Sequence, residues 1–152
     1  MNQEGAAPTA NLSLYYPHQN LQSLKGYEIF VEDLRKMNLE QRIIRAVVSL
    51  SNAPDLSLVK VYEKQQFELK NVFLKDGNQV FLEFRTTSSI SEGKSLREEE
   101  LCLLALLKTL FENFPSLSTI SLLLDGQYRE TLWGKLWIRP EYDRRSIDGS
   151  FL

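Results

Sequence analysis

The stretch from Ser95 to Pro115 constrains the fold more than any other part of the chain. Ser95 is followed three residues later by Glu98, the spacing of a capping box, in which a hydroxyl and an acidic side chain satisfy the first free N–H groups of a helix. Glu98, Glu99 and Glu100 occupy the first turns, where the helix dipole favours negative charge. The predicted helix runs to about Asn113, roughly 27 Å at 1.5 Å per residue, and Pro115 ends it. Leu96, Leu103, Leu104, Leu107, Leu110, Phe111 and Phe114 share one face. Leu101, Cys102, Ala105 and Leu106 lie off that face. A helix this broadly apolar is either covered on more than one side or offers surface to a partner. Leu101 and Leu106 are therefore candidates for an interaction surface.

The remaining segments supply strands and one further helix. Leu12, Leu14 and Tyr16 alternate with Ser13 and Tyr15, which predicts a strand over 11–16, stopped by Pro17. Residues 18–26 are polar and predict a loop; 27–32 predict a second short strand. Asn38 and Gln41 have the capping-box spacing, and the helix after them runs to about Leu50. Leu39, Ile43, Ala46, Val47 and Leu50 form its core-facing stripe, with Ile44 and Val48 outside it. Asn52 and Pro54 end it. In 55–70, Val59, Val61 and Phe67 suggest short strand pieces around a polar loop. Residues 72–84 alternate on either side of Asp76-Gly77-Asn78, a hairpin with glycine in its turn. Residues 86–94 form a polar loop. Residues 118–124 predict a buried strand, Asp125-Gly126 a turn, and 127–138 another extended segment. Residues 1–10 read as a polar leader and 142–152 as a loose tail.

Two helices cannot cover both faces of such a sheet. The predicted class is α/β in the α+β sense: a two-layer sandwich with both helices on one face of a mixed β-sheet. The 152 residues suffice for one domain with a core of its own.

Eighteen basic residues against twenty acidic leave a net charge of -2, which gives no electrostatic footprint for nucleic acid. The longest apolar run, Leu101 to Leu107, is too short to span a bilayer. Residues Met1 to Ala10 lack the charged start and apolar stretch of a signal peptide. Cys102 is the single cysteine, so no internal disulfide is available.

No pattern of catalytic or metal-binding residues emerges. His18, the only histidine, has no cysteine or carboxylate at ligand spacing. Cys102 lies in a leucine-rich helix among glutamates, which raise a thiol's pKa rather than activate it. Glu98, Glu99 and Glu100 point about 100° apart and do not converge on a substrate. Gly93-Lys94-Ser95 resembles the end of a phosphate-binding loop, but Ser88 stands where its first glycine belongs. The expectation is a non-enzymatic protein with no metal and no cofactor. Trp133 and Trp137, four apart on an extended segment, point to one side. They are core if buried, and a protein hot spot or a sugar-stacking pair if exposed. Arg129, Lys135 and Arg139 lie beside them.

Residues 72–84, Lys108-Thr109-Leu110, Asn113-Phe114-Pro115 and the strand ending Leu124-Asp125-Gly126 resemble the GerM-type (GerMN) domain family of sporulation and spore germination. The most specific piece is Glu130-Thr131-Leu132-Trp133-Gly134-Lys135, closing with Ile138-Arg139-Pro140. The opening Leu14-Tyr15-Tyr16-Pro17 also fits, so the resemblance spans 11–141. It implies structural roles for Asp125, Gly126, Thr131, Leu132, Gly134 and Pro140. Lys135 stands where the family often has histidine, Glu83 where it often has aspartate, and the loop 86–94 lacks paired glycines. The resemblance implies a fold similar to the ring-building motif of envelope assemblies. It further implies an extracytoplasmic domain, membrane-anchored through an N-terminal segment absent from this sequence. The implied partner is an envelope protein, with peptidoglycan as the alternative ligand, and no activity is implied.

Overall fold

A computed structural model describes residues 11–87 and 94–148. The leader 1–10, most of the polar loop 86–94 and the last four residues lie outside the described residues.

Strands β1 (Asn11–Pro17) and β2 (Leu24–Phe30) form an antiparallel hairpin in which Leu14 faces Tyr27. β2 starts before the expected position, so Gly26 is a strand residue rather than a loop residue. Its missing side chain makes room for the Tyr15 ring: a Cβ there would lie 3.2 Å from Tyr15 Cε1.

Helix α1 (Leu39–Ser49) carries the complete capping box. Gln41 N–H donates to Asn38 Oδ1 at 2.8 Å, and Asn38 N–H donates to Gln41 Oε1 at 2.9 Å. Ile43, Ala46, Val47 and Leu50 are fully buried, while Ile44 and Val48 are exposed. The stripe read from the sequence is therefore the buried face. The Ile43, Val47 and Leu50 side chains each contribute about 1.5–3 kcal/mol when removed from water.

Residues 51–66 contain no strand. Val59 and Val61 are held by single backbone bonds, Val59 N–H to Pro17 O at 2.9 Å and Val61 N–H to Leu50 O at 3.0 Å. With no alternation to sustain a ladder, the segment follows the surface of its neighbours instead. Phe67 begins the next strand.

Strands β3 (Phe67–Lys75), β4 (Gln79–Thr86), β5 (Thr119–Leu124) and β6 (Tyr142–Asp143) form a second sheet in that order. β4 and β5 are parallel and the other pairs antiparallel, so the sheet is mixed. Asp76 and Gly77 both have positive φ in the β3–β4 turn, which the twist of a tight hairpin requires. On β4, Val80, Leu82 and Phe84 are buried, while Phe81 and Glu83 on the other face are half-buried.

Helix α2 (Leu96–Asn113) makes the crossover between the parallel strands. Ser95 Oγ accepts the Glu98 N–H at 3.1 Å. The reciprocal half of the box is not made; the Glu98 carboxylate pairs with the Lys94 ammonium at 3.3 Å instead. Leu101, Cys102, Leu103, Ala105, Leu106, Leu107, Leu110 and Phe111 are all buried. Of the two readings of this breadth, coverage on several sides is the one the fold adopts. Leu96 of the expected face is 49% exposed.

Two features differ from the expected single sheet and loose tail. The β1–β2 hairpin stands apart, because side chains of α2 occupy the β1 edge that would join the larger sheet. The segment 142–148 is ordered by α2 as well: Arg144 donates to Phe111 O at 2.7 Å and to Phe114 O at 2.9 Å, capping the helix carbonyls. Its guanidinium lies 5.0 Å from the Phe111 ring. One apolar core joins both sheets and both helices.

Candidate interaction surface

The segment that carries the resemblance, residues 124–140, folds back on itself after β5. Asp125 and Gly126 have φ of 54° and 80°. Leu124 N–H donates to Gln127 O at 2.8 Å, and Gln127 N–H donates to Leu124 O at 3.1 Å. This is a two-residue turn of the kind Asp-Gly favours. The Asp125 carboxylate accepts the Thr86 hydroxyl at 2.7 Å and the Thr86 N–H at 3.0 Å. Those bonds, the hydroxyl first, hold its pKa below the usual carboxylate value. They tie the turn to the end of β4. Gly126 also faces Glu83, whose Oε2 would lie 3.4 Å from a Cβ.

Beyond the turn, Thr131 bridges to Trp137, and Ile138 N–H donates to Glu130 O at 2.8 Å. The chain between them is a closed loop rather than the extended segment expected. Gly134 allows the reversal with φ of 108°. Leu132 and Trp133 turn inward, with the Trp133 ring edge-on to Phe67 at 6.3 Å and the Lys94 ammonium 5.7 Å from it. Trp137 turns outward and is 73% exposed. The two indoles thus lie on opposite sides of the loop, because the reversal at Gly134 breaks the strand periodicity that placed them together. Arg129, Lys135 and Pro140 are exposed. Leu101 and Leu106, expected as possible surface, are core residues because the loop and neighbouring elements cover α2.

Glu99 holds the loop in place. It is fully buried, and its Oε1 accepts the N–H groups of Lys135 at 3.1 Å and Leu136 at 2.7 Å. Among the described residues Oε2 and the indole N–H of Trp133 are buried without hydrogen-bond partners. Lys135 Nζ adds a bond to Lys94 O at 2.6 Å. The sequence reading gave all three glutamates a dipole role and missed this one. A signal was present: Glu99 falls three, four and seven residues before Cys102, Leu103 and Leu106, on the apolar flank beside the expected face.

The other candidates for chemistry have structural explanations. His18 Nδ1 accepts the Asn20 N–H at 3.1 Å and shapes the β1–β2 connection. Cys102 is buried beside Lys60 O, and burial pushes its thiol up to about 12. Lys94 and Ser95 of the phosphate-loop-like stretch are engaged with Glu98. Among the described residues no group of three or more His, Cys, Asp or Glu is placed to hold a metal. A small apolar cavity of about 20 Å³ lies between Tyr62, Phe84, Leu106 and Trp133, large enough for one water at most.

No protein-family profile and no curated protein matches the sequence. Solved structures do match the fold. The first GerMN domain of the sporulation protein GerM from Bacillus subtilis superposes with a TM-score of 0.68 at 17% identity, over 90% of this chain and 99% of that one. A structure described as "Putative Lipoprotein from Clostridium perfringens" gives 0.57 at 22% identity, over 91% and 90%. The tandem GerMN domains of B. subtilis GerM give 0.54 at 21% identity, over 77% of this chain and 39% of that one. The chain has the fold of a GerMN domain, as the sequence resemblance implied.

Proposed function

We propose that this chain is a non-catalytic domain of the bacterial cell envelope that binds another protein through the face presented by Trp137. The observation that carries the reading is one exposed indole on a rigidly held backbone. Trp137 is 73% exposed, and Glu99 grips the peptide N–H of the residue before it. A large apolar ring exposed to water is unfavourable unless something covers it, and pre-ordering its backbone lowers the entropy lost on docking. Arg129, Lys135 and Arg139 are exposed on the same segment, with Arg129 paired to Asp125 at 3.6 Å. The envelope location, the N-terminal anchor and a sporulation-type role draw on the fold likeness to GerM domains and to the clostridial protein. Peptidoglycan is the less favoured ligand, because stacking across two indoles needs both exposed and Trp133 is in the core.

A photo-crosslinking residue at position 137, in cells making the full protein, tests the reading. The expected result is one discrete adduct with an envelope protein, absent when the probe stands at exposed Gln22. Adducts of equal yield at both positions, or none at 137, would overturn it. A shift in Trp137 fluorescence on adding muropeptides, without any protein adduct, would favour the wall ligand.

A further inference from the structure

The long strand edges of the two sheets are treated differently. The open edge of β1 is filled by side chains of α2. The open edge of β3 is interrupted by an irregularity between Leu69 and Asn71 and carries exposed Glu68, Lys70 and Lys75. A bulge and edge lysines are devices that prevent strand addition. β2 has neither. Its seven residues keep a regular register with β1 and contain no proline. Among the described residues no backbone or side-chain group bonds to its outer side. Phe30 is 68% exposed and Tyr27 41%. Beside them a groove of about 200 Å³ runs between Tyr27, Ile29, Ala53 and Pro54.

We infer that β2 pairs with β2 of a second copy of this chain. The residue pattern selects that occupant. A two-fold axis normal to the sheet pairs residues of equal parity. Centring it on Glu28 opposes two carboxylates, and centring it on Gly26 opposes Leu24 to Glu28. Centring it on Tyr27 uses all seven residues: Leu24 meets Phe30, Lys25 meets Ile29, Gly26 meets Glu28, and no like charges are directly opposed. Both ends of the pair are then apolar. The product is a four-stranded β1-β2-β2-β1 sheet, replacing a two-stranded ribbon, which is the least self-sufficient form of sheet. A strand of about 23 Å covers less than the area of a standard stable interface, so the dimer is weak and concentration-dependent. The inference is independent of the Trp137 face and involves none of its residues.

Sedimentation over a rising concentration series reads the association directly. The weight-average mass climbs towards the dimer, and Phe30→Lys weakens association on the order of tenfold by removing both Leu–Phe pairs. Its circular dichroism stays that of the parent, since position 30 is exposed. Tyr27→Cys places two thiols across the axis at a separation a disulfide spans. It oxidises to a dimer faster than a Gln22→Cys control, and buried Cys102 does not compete. A mass that stays monomeric to millimolar concentration, or equal oxidation of the two variants, overturns the inference. So does protection of the β2 amides from exchange that appears only when a foreign protein is added, which assigns the edge to that protein.

Discussion

The carboxamide of Asn113 takes both backbone groups of Ser13: the Ser13 N–H donates to Oδ1 at 2.9 Å, and Nδ2 donates to Ser13 O at 2.6 Å. One side chain of α2 thereby does what a neighbouring strand would do. Nδ2 also donates to Thr109 O at 2.7 Å, and the Thr109 hydroxyl accepts the Tyr15 N–H at 3.0 Å. The β1 edge is satisfied by a helix, and the hairpin is kept out of the four-stranded sheet.

Replacing Asn113 by Ala leaves the Ser13 backbone groups in a partly buried site without partners. Each orphaned group costs about 1–3 kcal/mol, so Asn113→Ala destabilises by roughly 2–6 kcal/mol. Asn113→Asp keeps the acceptor and loses both donated bonds. Urea unfolding places both variants below wild type if the carboxamide acts as described. Equal midpoints for wild type and Ala would remove the argument.

Glu99 gives a local prediction. Glu99→Ala strips the acceptor from two N–H groups, and the amides of Lys135 and Leu136 exchange faster by tenfold or more, about 1.4 kcal/mol of local protection. Glu99→Gln retains an acceptor oxygen and keeps part of that protection. The amides of β1, which packs on the far end of α2 at Thr109 and Asn113, are unchanged in both. Hydrogen exchange followed residue by residue checks this, and uniform loss of protection would mean the carboxylate supports the whole core instead.

Stability falls at both ends of the pH scale, for opposite reasons. Asp55, Glu112, Asp125 and Asp143 have pKa values held low, Asp55 by its bond from the Ser57 hydroxyl and Glu112 chiefly by Lys108. A depressed carboxylate stabilises the fold above its unfolded pKa, about 4, and loses that contribution as pH drops through the folded value. Tyr16 and Tyr62 are pushed up to about 12 by burial, and Tyr15 to about 12 first by its bond to Glu112. Their contribution is intact below pH about 10 and disappears as pH rises towards the folded value. Unfolding midpoints are expected to be flat between pH about 5 and 9 and to decline outside it. Asp125→Asn reduces the acid-side slope. A tyrosinate absorbance titration that follows free tyrosine would contradict the alkaline arm.

Much of the fold was legible because its signals act over a few residues. Asn38 and Gln41 bond each other three positions apart, and the apolar spacing after them names the buried face of α1. Asp76-Gly77 and Asp125-Gly126 mark turns because positive φ is strained for most side chains. Alternation on β4 named Val80, Leu82 and Phe84. The candidate surface was legible only in part. Trp137 was singled out, but so were Trp133, Leu101 and Leu106, which the fold buries. Four-residue spacing places two indoles together only on a strand, and Gly134 reverses the chain between them.

Taken alone, the amino-acid order determined where helices start, where hairpins turn and which faces are apolar, since those depend on neighbours along the chain. Tertiary structure decided which edge of β1 α2 would close, which of three adjacent glutamates would be buried, and which tryptophan would face water. The deciding bonds join Ser13 to Asn113 and Glu99 to Leu136, across 100 and 37 positions. No local propensity carries information over such separations; only the packed core brings those groups within reach.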